Sequence, residues 1–164
     1  MTSLRFAVPL IGALACAQAQ AQAQLQPQPD APANARHITG KFDITITPAA
    51  PPAHEGRTAL ARMLLDKQYF GELQATGQGE MLTARTDTKG SAAYVAIERV
   101  TGTLNGRQGG FVIQHSGTMS GGASQLAVLI VPDSGSGGLA GISGKMAIKQ
   151  VAGGHIYELD YVLP

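Results

Sequence analysis

Tryptophan is absent from this 164-residue chain, and cysteine occurs once, at Cys16. Aromatic residues make up 5% and charged residues 14%. Each shortage removes a class of function. Without tryptophan, the large flat platforms that suit sugar binding are missing. Cys16 falls in a removable leader, so the rest of the chain has no thiolate for catalysis and no disulfide. Twelve basic residues face 11 acidic ones. Loss of Arg5 with the leader makes these counts equal, and a neutral chain has no electrostatic basis for binding nucleic acid or an anionic membrane. No apolar run reaches the roughly 20 residues of a membrane-spanning helix. The histidines stand at 37, 54, 115 and 155 with no ligand spacing, so neither a metal site nor a cofactor is expected.

What is present begins with an address. Met1–Arg5 carries one positive charge, Phe6–Cys16 is apolar, and small residues with Ala-x-Ala spacing follow (Ala15-Cys16-Ala17, Ala17-Gln18-Ala19). That order is a secretory signal peptide, assigned to residues 1–23. A buried N-terminal helix is the alternative, but Pro9 and the Ala-Gln repeat suit a leader better. Lipid anchoring through Cys16 is a minor alternative, because Ala13-Leu14-Ala15 sets its branched residue one place late for a lipoprotein signal. Residues 24–36 are rich in Gln, Pro and Ala and bury too little to offset ordering entropy, which makes them a disordered linker. The protein is therefore expected to be exported, periplasmic or secreted, with one domain over 37–164.

Within that domain the residues alternate. In His37–Thr47, Ile38, Phe42, Ile44 and Ile46 face one way, and Thr39, Lys41, Asp43 and Thr45 the other. Period two with β-branched residues marks a half-buried strand. Thr58–Phe70 is ambiguous: Leu60, Leu64 and Lys67 suit a helix face, whereas Met63, Leu65 and Tyr69 alternate as a strand. Strand is preferred, with a short helix left open. Further strands are expected over Gly71–Thr86, Tyr94–Leu104, Phe111–Met119, Gln125–Val131, Lys145–Val151 and His155–Leu163. Asn105-Gly106 is a strong hairpin signal, since both central residues of a type I′ turn need positive φ. Gly121-Gly122 and Gly153-Gly154 are read as turns. Gln125–Val131 is a continuous apolar run that fits a strand covered on both faces. About eight evenly spaced strands predict an all-β fold, a single antiparallel barrel whose closure leaves no exposed edge.

One glycine passage imitates a nucleotide site. Gly135-Ser136-Gly137-Gly138-Leu139-Ala140 fits G-x-G-x-x-[GA] and follows an apolar run. The fingerprint needs a helix whose N-terminus faces the pyrophosphate. Gly141 and Gly144 interrupt that helix, so tight turns are the better reading.

Few residues are placed for chemistry. His115 shares an apolar face with Phe111 and Ile113. In Tyr94–Thr101 one face carries Glu98 and the other Arg99, so whichever points inward buries a charge that needs a partner, solvent or a shifted pKa. Tyr157 and Tyr161 lie on the apolar face of the last run, as core or cavity wall.

The ordered series Ile97-Glu98-Arg99-Val100, Gly102-Thr103-Leu104, Gly106-Arg107 and Phe111 through Thr118 (FVIQHSGT) resembles the family known as domain of unknown function 3224. VPDSGSGGLAGISG and HIYELDYVL continue the likeness, which spans about residues 37–164. The resemblance implies an allene-oxide-cyclase-like, calycin-like barrel of about eight antiparallel strands and no established activity. By motif position it points to Glu98, Arg107, Gln114, His115, Tyr157 and Tyr161 as the place to look for a ligand site, without assigning catalytic residues.

Three functions follow as expectations. The first is a barrel holding a small, largely apolar molecule inside. The second is a cyclase or isomerase that uses His115 or Glu98 as acid or base in the same cavity. The third is a packed barrel serving as an interaction module. Cavity volume separates the third from the others.

Overall fold

The computed structural model describes residues 34–164. The leader and nearly all of the linker expected before residue 37 lie outside the described residues. Ten strands follow in order: β1 (Arg36–Pro48), β2 (Ala53–Glu55), β3 (Thr58–Gly71), β4 (Leu73–Thr86), β5 (Ala92–Leu104), β6 (Arg107–Ser120), β7 (Ala123–Ile130), β8 (Ser136–Gly137), β9 (Ser143–Val151) and β10 (Gly154–Val162). There is no helix among the described residues.

Eight of these strands close a barrel in the order β1-β10-β9-β7-β6-β5-β4-β3, and β3 returns to β1. Every neighbouring pair is antiparallel. The two remaining strands are short. β2 extends the pairing of β3 beyond the end of β1, and β8 pairs with Gly109 and Gly110 of β6 where β7 has stopped. Closure pairs backbone polar groups that an open sheet would leave on its edges, least at the β7–β9 seam, whose ladder is the single pair Leu129–Lys145.

Thr58–Phe70 is a strand, as alternation predicted. Leu65, Lys67 and Tyr69 point inward, while Leu60, Leu64 and Phe70 are exposed on the outer face. Those outward leucines give the segment its helix-like composition. The Asn105-Gly106 hairpin forms with φ of 49° and 77° at its two central residues.

Two details correct the expectations. β7 is not covered on both faces: Val128 and Ile130 are buried, but Leu129 is 44% exposed. A single-layer barrel has nothing outside to cover it. The last hairpin turns at Ala152 and Gly153, because Gly154 already pairs with Val151.

The barrel interior has two unlike halves. One is packed solid by Leu73, Leu104, Phe111, Leu159 and, from the glycine-rich passage, Leu139 and Ile142. That passage forms β8 and a turn that presses both plug residues into the barrel end, each only 1% exposed. Burying such a side chain contributes about 1.5–3 kcal/mol. The nucleotide-like glycines thus serve turns and a hydrophobic plug. The other half is open.

Candidate functional site

The site is built over a gap in β4. Along its inward face, β4 places Gly77 opposite Lys67 of β3 and Gly79 opposite Glu98 of β5. Neither glycine fills the interior, so side chains from β3 and β5 meet across the strand between them. A Cβ at Gly77 would fall on Oε1 of Glu98 and press on the Tyr69 ring.

Glu98 is 0% exposed and accepts three hydrogen bonds. Lys67 Nζ donates to Oε2 at 2.7 Å, Tyr69 Oη–H donates to Oε1 at 2.7 Å, and His115 Nε2 approaches Oε2 at 3.1 Å. Burial alone would push the Glu98 carboxyl up. The hydrogen bond from His115, the charge and hydrogen bond of Lys67, and the Tyr69 hydroxyl outweigh it and hold the group below its ordinary value. Because Glu98 is ionised it can only accept, so His115 Nε2 carries a hydrogen, and in neutral imidazole Nδ1 is then the acceptor. Burial, followed by the Glu98 charge and its hydrogen bond, pushes the Tyr69 phenol well above its ordinary value. Lys67 also lies 4.8 Å from the Phe42 ring centroid, a cation–π contact, and 3.3 Å from Tyr69 Oη.

Above this cluster lies a cavity of about 710 Å³ in the open half of the barrel. Its walls include Ile44, Leu65, Met81, Tyr94, Leu126 and Ile148. Buried Phe42, Lys67 and His115 line its inner part, with the His155 ring stacked on Phe42 at 5.0 Å, while the exposed Arg85, Lys89 and Gln150 line the mouth. Tyr94 bends over the directly opposite Gly117, where a Cβ would strike the ring. The Lys67 and His115 residues are 4% and 5% exposed and line the cavity, while Lys67 Nζ and His115 Nε2 turn to Glu98, which does not line it.

The six residues singled out in the sequence do not all converge here. Glu98 and His115 do. Tyr157 and Tyr161 belong to the packed half: the Tyr157 hydroxyl donates to the Phe70 carbonyl at 3.2 Å, and the Tyr161 hydroxyl accepts from Asn105 Nδ2 at 2.9 Å. Gln114 points outward from β6, and Arg107 is exposed at the start of that strand, so neither reaches the cluster. Lys67 and Tyr69 are the members that sequence reasoning missed. Their signal was the strand parity of Leu65, Lys67 and Tyr69, hidden by the segment's leucines.

Fold and site together define a class: a closed eight-stranded antiparallel barrel, plugged at one end, with a cavity at the other over a buried charged cluster. The family model described as protein of unknown function DUF3224 matches residues 38–161, and the chain belongs to that family. It is also similar to a crystal structure of a DUF3224-family protein with unknown function from Shewanella oneidensis MR-1. That likeness has 50% sequence identity and a TM-score of 0.76, and covers 79% of this chain and 98% of the other. No curated protein matches the chain.

Proposed function

We propose that this is an exported barrel that binds a small, largely apolar molecule in its open half. The cavity carries this reading. Its volume lies in the range of small-molecule sites, and its apolar walls with a few convergent polar groups have their usual make-up. An eight-stranded barrel is wide enough to be filled by side chains or to hold one small ligand, and this interior is filled only halfway. Export rests on the leader-like residues 1–23. The test is displacement of an environment-sensitive apolar dye by a panel of small lipophilic compounds. Saturable displacement at one site per chain supports the reading, and dye that neither brightens nor saturates counts against it.

A second reading, an isomerase or cyclase in the same cavity, is favoured by one observation. His115 is held through Nε2 by an ionised carboxylate, which leaves Nδ1 without a protein partner among the described residues on a side chain that lines the cavity. A carboxylate–imidazole pair next to an apolar chamber is an arrangement suited to proton transfer. Turnover that vanishes in His115→Ala while ligand binding persists would establish it.

A further inference from the structure

We propose that the ligand is an amphipathic anion, with its carboxylate seated at the inner end between Lys67 and His115 and its apolar body running out toward the mouth. The proposal rests on the binding reading above and names the chemistry of the head group. Three observations carry it.

The first is the sign of the lining. Lys67, Arg85 and Lys89 line the cavity together with His115 and His155, and no aspartate or glutamate among the described residues does. Glu98, the carboxylate of the inner cluster, is 0% exposed and does not line the cavity, and Asp87 beside the mouth is paired with Arg57. An entering anion therefore meets basic residues at the mouth and again at the inner end, with apolar wall between. The complementary molecule is apolar along its length and negative at its leading end.

The second is unused hydrogen-bonding capacity. Lys67 has three N–H donors and makes two bonds, to Glu98 and Tyr69. His115 uses Nε2 on Glu98, and Nδ1 has no protein partner among the described residues. Both residues are more than nine-tenths buried and line the cavity. No buried side-chain nitrogen or oxygen among the described residues lacks a partner, so the third Lys67 donor and His115 Nδ1 are spare capacity on residues that line the cavity, where a ligand takes the place of solvent.

The third is charge balance. Lys67 and Glu98 already neutralise each other, so a second carboxylate would leave a net negative charge in a poorly solvated place. A proton on His115 Nδ1 removes it and turns that nitrogen from acceptor to donor. Of the titratable groups around His115, Glu98 from β5 bonds it directly, Lys67 and Tyr69 from β3 bond the same carboxylate, and Tyr94 from β5 and His155 from β10 line the same cavity. β7 places Val128 directly opposite. Anion binding is therefore coupled to uptake of a proton by the cluster, whereas a neutral alcohol of equal length would donate to Nδ1 and need none.

Calorimetric titration with dodecanoate, dodecanol and dodecylamine, at concentrations below micelle formation, tests this. Dodecanoate is expected to bind at least about tenfold more tightly than dodecanol, the scale of one charge-assisted hydrogen bond, and dodecylamine most weakly. Repetition in buffers of different ionisation enthalpy is expected to show net proton uptake with dodecanoate and none with dodecanol. In a folded Lys67→Met/Glu98→Gln double variant, and independently in His115→Gln, the dodecanoate-to-dodecanol ratio falls toward one. Equal or better binding of dodecanol overturns the anion assignment and leaves the apolar cavity standing. Binding of none of the three removes the cavity reading and this one with it. A dodecanoate preference lost in Arg85→Gln/Lys89→Gln but kept in His115→Gln moves the head group to the mouth and overturns the inner-end assignment.

Discussion

Lys67 and Glu98 form a 2.7 Å ion pair across an intervening strand, closing over Gly77 and Gly79 of β4. Their side chains are 3% and 0% exposed. The pair fixes the inner end of the cavity and is the most consequential interaction in the open half.

Breaking the pair from one side leaves an uncompensated buried charge. Lys67→Met is expected to destabilise the barrel by about 3–5 kcal/mol, and Glu98→Gln by a comparable amount. The Lys67→Met/Glu98→Gln double variant should be more stable than the sum of the single costs implies, because nothing charged is stranded. Denaturant unfolding of all four proteins gives the coupling energy directly. Additive single effects would show that the two charges do not depend on each other.

Gly77 gives the carboxylate its room. Gly77→Ala drives a methyl group onto Glu98 Oε1, and overpacking of this kind costs about 1–3 kcal/mol. The strand parity is unchanged, so the variant should keep its far-ultraviolet circular dichroism while melting at a lower temperature.

The depressed Glu98 carboxyl sets an acid limit. A group whose folded value lies below its unfolded value binds more protons when unfolded, so stability rises with pH across that window. The Glu98 contribution is complete above its ordinary value of 4.5 and is lost as pH falls through the lower folded value. Subtracting the Lys67→Met/Glu98→Gln profile from the wild-type profile isolates this slope from exposed carboxylates such as Glu80. A flat difference below pH 4.5 would contradict it.

At high pH the sign reverses. Tyr69 is raised well above 10.0, and burial also raises Tyr94 and Tyr157. Each keeps its proton in the folded state where the unfolded chain would lose it, so stability falls as pH climbs beyond 10.0. Phenolate absorbance should show Tyr69 ionising only with unfolding, and in Tyr69→Phe that component of the unfolding-linked rise should vanish.

Filling the cavity separates binding from folding. Leu126 lines the chamber and is 42% exposed, so Leu126→Trp can occupy the chamber without displacing the packed core. Dye binding should weaken by at least about tenfold, roughly 1.4 kcal/mol, with little change in melting temperature. Unimpaired binding would place the ligand elsewhere.

The barrel was legible because its strands alternate and its turns carry their own chemistry. Asn105-Gly106 announced a positive-φ hairpin, and Gly141 and Gly144 exposed the nucleotide-like passage as turns. The short strands β2 and β8 were not legible, since two or three residues hold no period. Within the site, the sequence posed the choice between Glu98 and Arg99 but could not decide which faced inward. That depends on Lys67, 31 residues away, and on the glycines of β4 that let the two meet. The parity of Ile113 and His115 already sends Gln114 outward. The motif resemblance that drew attention to Gln114 and Arg107 carries no information about direction.

The most direct test is native mass spectrometry of the protein isolated gently from its own host. The account predicts an added mass that leaves on denaturation, is restored by dodecanoate, and is absent from Leu126→Trp. A bare chain mass, unchanged after exposure to dodecanoate and to an apolar extract of the host, would contradict it.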